Sequence, residues 1–328
     1  MDRKPVHILT GFLGAGKTTF LNHFIKDLLP QRIFVIENEC GETNVDGALV
    51  IDGVEEVVEL SAGCLCCSLA DGLIEILEEA YKRREEYDRI VIETTGIADP
   101  SSIVQVFLEN PAVEKAFELE QVICLADAGQ VTNWLDEAEE SLRQIAVADV
   151  LLLNKVDTVS PEKLYQTQET LQNINPHAVL FKGQDGRFPV ADILAVGTTR
   201  PETVEKANVS AHHHHEHDHA DHGNNSHKIT TFTLTFPRPL DLESLQMDLN
   251  RIVHLYREQV YRVKGFIAIP EYPNRVILQS ARSAFVVTDG TPWEDTENRA
   301  GKLVFIGRGL QKKAFEKMFN RHLVALTA

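Results

Sequence analysis

The sequence predicts an α/β domain, with a mostly parallel sheet wrapped by helices, followed by a smaller C-terminal α+β domain. Three observations predict it. Short apolar runs alternate with amphipathic segments through the first half of the chain. Nearly every run ends in a polar or glycine-containing turn. Strict residue-by-residue alternation, the period of a half-buried strand, takes over only after Lys228. Apolar runs separated by helical segments specify a sheet covered on both faces, because the intervening helices must pack back onto the strands they connect. With 328 residues, 43% of them hydrophobic, the chain is long enough for two domains of unequal size.

The elements follow in order. Val6–Leu9 reads as the first strand, and Thr19–Leu29 as an amphipathic helix. Arg32–Ile36 is a buried strand ending in Glu37-Asn38-Glu39-Cys40-Gly41-Glu42. A less regular piece leads through Val57–Leu60 to Gly63-Cys64-Leu65-Cys66-Cys67. Leu69, Leu73, Ile76, Leu77 and Ala80 recur at helical spacing. Ile90–Ile92 is the next strand and delivers Glu93-Thr94-Thr95-Gly96. Val122–Ala126 and Val150–Leu153 are two more strands, with one helical stretch, Val131–Val147, between them. Pro161 opens a helix to about Ile174, and Ala178–Phe181 makes a short strand. Residues 1–200 are therefore expected to form the first domain, 201–227 a His-rich acidic linker that cannot build a core, and 228–328 the second domain. In that last part, Leu242–Tyr256 and Leu310–Leu323 read as helices. Gly265–Ile269, Val276–Gln279 and Leu303–Ile306 are strand-like runs.

The stretch Gly11-Phe12-Leu13-Gly14-Ala15-Gly16-Lys17-Thr18, followed by Thr19, matches the phosphate-binding pattern G-x-x-x-x-G-K-[ST] between a strand and a helix. Gly11, Gly14 and Gly16 let the backbone turn so that N–H groups, including those at Ala15 and Thr19, point at phosphate oxygens near a helix N-terminus. Lys17 is expected to reach the outer phosphates and Thr18 to sit on magnesium. Glu93, at a strand end, is expected to hold a magnesium-bound water, and Gly96 to offer its N–H to the γ-phosphate. Asn154-Lys155-Val156-Asp157 points to guanine: Asp157 can accept from N1–H and the exocyclic amine, Asn154 can hold the ring edge and the Lys155 stem can cover the base. The expected nucleotide is GTP. With no Gln or Arg evidently placed to help, slow intrinsic hydrolysis to GDP and phosphate is expected.

A formal net charge of −17 argues against nucleic acid and anionic membranes as partners. No early segment reads as a signal peptide and no apolar run approaches membrane-spanning length, which suggests a cytoplasmic protein. Three of the 5 cysteines crowd into Cys64-Leu65-Cys66-Cys67, a spacing that suits metal binding better than a disulfide framework. Thiolates are strong zinc ligands at about 2.3 Å. The tetrapeptide supplies no fourth thiol, so Glu37, Glu39 and Glu42 are plausible oxygen ligands and Cys40 an extra thiolate. His212–His215, His217, His219, His222 and His227 read as a metal-buffering segment, whereas His7, His23, His177, His254 and His322 are isolated and read as structural.

Gly11–Thr19, Glu37-Asn38-Glu39, Gly63–Cys67, Glu93–Pro100 and Asn154–Asp157 together resemble the CobW and YjiA branch of the metallochaperone GTPases, broadly related to HypB and UreG. Tyr261–Gly265, Leu278-Gln279, Pro292-Trp293 and Leu303–Gly307 resemble the C-terminal domain of CobW-type proteins, so the resemblance spans nearly the whole chain. It implies a P-loop GTPase that binds a transition metal and delivers it to a client apoprotein. Carried over by position, Cys64, Cys66 and Cys67 are metal ligands, with Glu37 or Glu42 as partners. Cys40 stands where relatives usually carry Phe. Zinc is the first expectation, and cobalt and nickel fit the same ligand chemistry. A nucleotide-tuned metal store or sensor, and an assembly GTPase for a cobalamin enzyme, are the rival readings. The C-terminal domain is expected to serve as a client-docking or homodimer surface.

Overall fold

The computed structural model describes residues 3–37, 57–59, 68–196, 229–281, 284–294 and 297–324. The chain divides into two units, one of Met1–Gln172 with Ala178–Thr198 and the other of Asn173–His177 with Thr199–Ala328.

In the first unit the elements run β1 (Lys4–Gly11), α1 (Lys17–Leu28), β2 (Ile33–Glu37), β3 (Val57–Glu59), α2 (Ser68–Lys82) and β4 (Arg89–Glu93). Then come α3 (Ser101–Glu109), α4 (Pro111–Ala116), β5 (Phe117–Asp127), α5 (Val131–Glu137), α6 (Glu139–Val147) and β6 (Val150–Asn154). A 3-10 turn at Val156–Thr158, α7 (Pro161–Ile174), β7 (Val179–Lys182) and α8 (Val190–Ala195) complete it. The strands form a seven-stranded sheet in the order β3-β2-β4-β1-β5-β6-β7, and every pairing is parallel. Strands buried on both faces carry near-continuous apolar runs, as Val150–Asn154 does. One face packs Leu9, Val35, Val91, Leu125 and Leu152 against Phe20, Leu21, Phe24 and Ile25 of α1, closed by Val190 and Ile193 of α8. On the strands, the alternate residues Ile8, Ile36, Ile92 and Leu151 are equally buried.

From β1 the chain goes outward to β2 and β3, returns through β4, and then crosses to β5, β6 and β7. The reversal falls at β1. In an open parallel sheet this is where a crevice opens beyond the carboxyl ends of the strands.

The structure adds elements that the sequence pattern did not reveal. Val57–Glu59 is an edge strand paired with β2, although its run is too short to show a period. The strand expected at Val122–Ala126 extends back to Phe117, where Glu118, Glu120 and Gln121 conceal it. The helical stretch expected over Val131–Val147 is two helices, because Ala138 adopts extended φ −138°, ψ 120°. The break puts Glu139 and Glu140 in the first turn of α6, where the helix dipole favours carboxylates.

The second unit contains β8 (Ile229–Phe236), α9 (Leu242–Leu255), β9 (Val260–Ile267), β10 (Asn274–Ala281), β11 (Ala284–Pro292), β12 (Gly301–Arg308) and α10 (Lys312–Asn320). Its antiparallel sheet has the order β11-β10-β9-β12-β8, of which β11 was not expected. The alternation of β8 sends Phe232, Leu234 and Phe236 into a core with Leu245, Leu249, Phe305, Phe315 and Phe319. Phe305 is fully buried and stacks on Phe232 at a ring separation of 5.3 Å.

Candidate functional site

The loop between β1 and α1 carries the phosphate-binding pattern, and its geometry follows from where its carbonyls go. Lys17, 9% exposed, donates from Nζ to the Gly11 carbonyl at 2.9 Å and the Phe12 carbonyl at 3.4 Å. Phe12 also accepts from the Ala15 N–H at 3.2 Å. Asn154 Nδ2 donates to the Ala15 carbonyl at 2.9 Å, and Lys155 Nζ to the Gly14 carbonyl at 2.8 Å. With the carbonyls engaged by donors, the loop can present N–H groups to an anion. Gly11, at φ 137°, and Gly16, at φ 100°, both exclude a side chain, since a Cβ would meet the Leu125 carbonyl oxygen at 2.3 Å and Asn154 Nδ2 at 2.6 Å respectively. Burial lowers the Lys17 pKa, opposed by the nearby Glu93 carboxylate, so its ammonium is poorly solvated and suited to an anionic ligand.

Beside the loop, Thr18 Oγ1 donates to Glu93 Oε1 at 3.2 Å. A hydroxyl and a carboxylate oxygen side by side are the hard donor set that magnesium prefers, so these residues fit that ion. Thr19 is exposed on the first turn of α1. Glu37 is the register partner of Glu93, so the ends of β2 and β4 place these two residues next to each other. Glu37 is also the partner of Glu59 on β3. Glu39, Cys40, Glu42, Cys64, Cys66, Cys67 and the histidine-rich stretch lie outside the described residues. Among the described residues, Cys124 is buried and burial pushes its thiol up to about 12, which keeps it neutral.

Gly96 lies against the phosphate loop, where a Cβ on it would come within 2.6 Å of the Leu13 backbone nitrogen. Its carbonyl accepts from Gln144 Nε2 at 3.1 Å, and the same amide donates to the Ala98 carbonyl at 3.0 Å. Arg143 pairs with Asp99 at 3.0 Å and Glu139 at 2.9 Å. Thus α6 clamps the loop that follows β4. Asp157 is exposed on the 3-10 turn after β6. Asn154 is buried, and while Nδ2 holds the phosphate loop, its Oδ1 accepts from the Gly186 N–H at 3.2 Å. Asn154 therefore ties together two loops.

Three contributors escaped the sequence reading. Gln144 is a buried amide in a helix, with no pattern to mark it. Asp127 bonds Lys155 at 2.8 Å. The loop around Gly186 follows β7, and its Gly183-Gln184-Asp185-Gly186 run of turn residues at a strand end was the available signal.

Residues 5–182 match the CobW/HypB/UreG nucleotide-binding domain, and residues 229–323 match the cobalamin synthesis protein cobW C-terminal domain. The chain is 32% identical over 324 residues to the zinc chaperone YjiA of Escherichia coli strain K12, covering 97% of this chain and 98% of that protein. It is 33% identical over 275 residues to the zinc-regulated GTPase metalloprotein activator 1 of Schizosaccharomyces pombe, covering 77% of this chain and 67% of that protein. The crystal structure of Zn(II)-bound YjiA GTPase from E. coli superimposes with a TM-score of 0.73 at 27% identity, covering 99% of this chain and 100% of that one. With both domains matched in order, and with a phosphate loop set at the reversal of a parallel sheet, this chain belongs to the CobW/HypB/UreG family of nucleotide-binding proteins.

Proposed function

We propose that this chain is a GTP-hydrolysing metallochaperone that takes up zinc and releases it to a client metalloprotein when GTP becomes GDP and phosphate. Residues 1–200 supply the GTPase, 201–227 a histidine-rich metal-buffering linker and 228–328 a docking surface for the client or a second copy. The observation that carries this reading is the register of Glu37 with Glu93. Neighbouring strands lie about 4.8 Å apart, so a candidate metal ligand and a candidate nucleotide-site carboxylate share one edge of the sheet. Whatever moves one strand end is felt at the other. Relatives named as zinc chaperones support the choice of cargo.

In this reading Gly11, Gly14, Ala15, Gly16 and Thr19 form the backbone cradle of the phosphates, and Lys17 trades its carbonyl partners for phosphate oxygens. Thr18, and Glu93 through a bound water, would hold magnesium, which when bound neutralises charge developing on the β- and γ-phosphate oxygens. Asp157 selects guanine, Lys155 covers the base and Asn154 frames the pocket. The Gly96 N–H meets the γ-phosphate and withdraws when that group leaves. Withdrawal at the end of β4 disturbs Glu37 on β2, and with it the thiolate site of Cys64, Cys66 and Cys67, to which Glu37 or Glu42 adds an oxygen. Hydrolysis loosens the metal. The intrinsic rate is expected to be slow. Cobalt or nickel could take the same ligands, since selectivity rests on geometry and supply.

The test is zinc affinity by chelator competition, with magnesium and either a non-hydrolysable GTP analogue or GDP, on the parent and on a variant with Cys64, Cys66 and Cys67 replaced by serine. GTP analogue should tighten zinc at the cysteine site and GDP loosen it, with a reciprocal gain in nucleotide affinity from zinc. Equal zinc affinity in both nucleotide states would exclude release by hydrolysis.

A further inference from the structure

The Lys155 ammonium touches two groups in the structure, the Gly14 carbonyl and the Asp127 carboxylate, each at 2.8 Å. We propose that Asp127 is a positioning residue of the guanine-nucleotide site, acting through Lys155 on the phosphate loop. The inference rests on the reading of Lys155 as a nucleotide-binding residue.

Four observations carry it. The sheet register makes Asp127 the partner of Asn154, so the residue after Asn154 emerges beside the Asp127 carboxylate. That carboxylate is itself locked, since Oδ1 accepts from the Gly129 N–H at 2.8 Å and the Gln130 N–H at 3.2 Å, leaving Oδ2 for Lys155. The Asp127 side chain is 9% exposed, which strengthens its hold on a cation. Lys155 adopts φ 58°, a left-handed conformation that a non-glycine residue keeps only where its surroundings fix it.

The consequences reach both parts of the bound nucleotide. A lysine stem has four rotatable carbons, and pinning its ammonium fixes the path of the whole stem over the base position. The same ammonium holds the Gly14 carbonyl, keeping that dipole from turning toward a phosphate. Asp127 therefore links base covering to phosphate-loop geometry, without reaching either part of the ligand itself.

The experiment is a double-mutant cycle on nucleotide affinity, read with fluorescent GDP and a fluorescent non-hydrolysable GTP analogue. Asp127→Asn retains an oxygen for the Gly129 and Gln130 N–H groups and loses the charge that holds Lys155. It should weaken both nucleotides by roughly tenfold, with KM for GTP rising in parallel. In a Lys155→Met background, Asp127→Asn should have no further effect, because the residue it acts through is gone. Parent-like affinity of Asp127→Asn, or the same loss with and without Lys155, would overturn the proposal. Lys155→Met binding guanine nucleotide like the parent would instead overturn the reading of Lys155. Should Asp127→Asn yield no folded protein, Asp127→Ser, which also keeps a turn acceptor, takes its place in the cycle, and the same results support or overturn the proposal.

Discussion

Gln144→Leu is a sharp test of the clamp between α6 and the loop after β4. Gln144 is 1% exposed, and its Nε2 serves the Gly96 and Ala98 carbonyls at 3.1 and 3.0 Å. Leucine has nearly the same volume, so the change opens little cavity and isolates the loss of the donor. A buried carbonyl left without a partner costs about 1–3 kcal/mol. The Gly96 bond is buried and the Ala98 bond half-buried, so about 2 kcal/mol at the first and about 1 kcal/mol at the second are expected. A loss of about 3 kcal/mol in a unit of this size lowers the unfolding midpoint by roughly 6–12 °C. Differential scanning fluorimetry of the protein without nucleotide reads it directly. If Gly96 also carries the γ-phosphate contact, the freed loop should slow GTP hydrolysis, measured by phosphate release. A midpoint within about 2 °C of the parent would refute the claim that these two bonds anchor the loop.

Two further outcomes follow from the same geometry. Gly16→Ala should weaken GDP and GTP-analogue binding by more than about tenfold, because the left-handed φ of 100° costs about 1–2 kcal/mol for an L side chain and the new Cβ would dislodge Asn154 from the Ala15 carbonyl. Fluorescent-nucleotide titration checks this, and binding within twofold of the parent would contradict it. His7 is fully buried and accepts at Nε2 from Arg89 at 2.5 Å, so although Glu120 lies 3.4 Å away, the imidazole is neutral. Burial first and the Arg89 charge second lower its pKa from 6.5 to about 3. The unfolded chain then binds a proton that the folded chain refuses, so His7 removes stability as pH falls from 6.5 toward 3, by at most about 1.4 kcal/mol per pH unit. His7→Gln should flatten the decline in urea-unfolding free energy between pH 6.5 and 4.5, and an unchanged slope would show that other groups set it.

What could be read from the sequence was whatever is written locally. The phosphate loop, the strand that delivers Glu93, the Asn154–Asp157 turn and the alternation that buries Phe232, Leu234 and Phe236 each declare themselves within ten or so residues. What could not be read is set by partners far along the chain. Gln144 meets Gly96 across 48 residues, and Lys155 meets Gly14 across 141. Nothing around Gln144 distinguishes it from a solvent-facing helical glutamine, and nothing around Asp127 from a carboxylate that merely caps a turn. The edge strand Val57–Glu59 is too short for periodicity, and it is defined by its pairing with β2. No proline or glycine marks the break at Ala138.

The same distinction explains why the phosphate-loop pattern is an incomplete description of this site. The pattern specifies glycines that allow the backbone to turn, but turning alone exposes carbonyls as readily as N–H groups. Here Gly11 and Phe12 give their carbonyls to Lys17, Gly14 to Lys155 and Ala15 to Asn154. Two of these donors come from the end of β6, and one is steered by Asp127 at the end of β5. In the proposed reading, guanine selection and phosphate binding thus share Asn154 and Lys155. A substitution at Asn154 or Lys155 should therefore never act on base discrimination alone. It should always carry a penalty common to every phosphate-bearing nucleotide, and that shared penalty measures how far the strand ends, rather than the glycines, shape the loop.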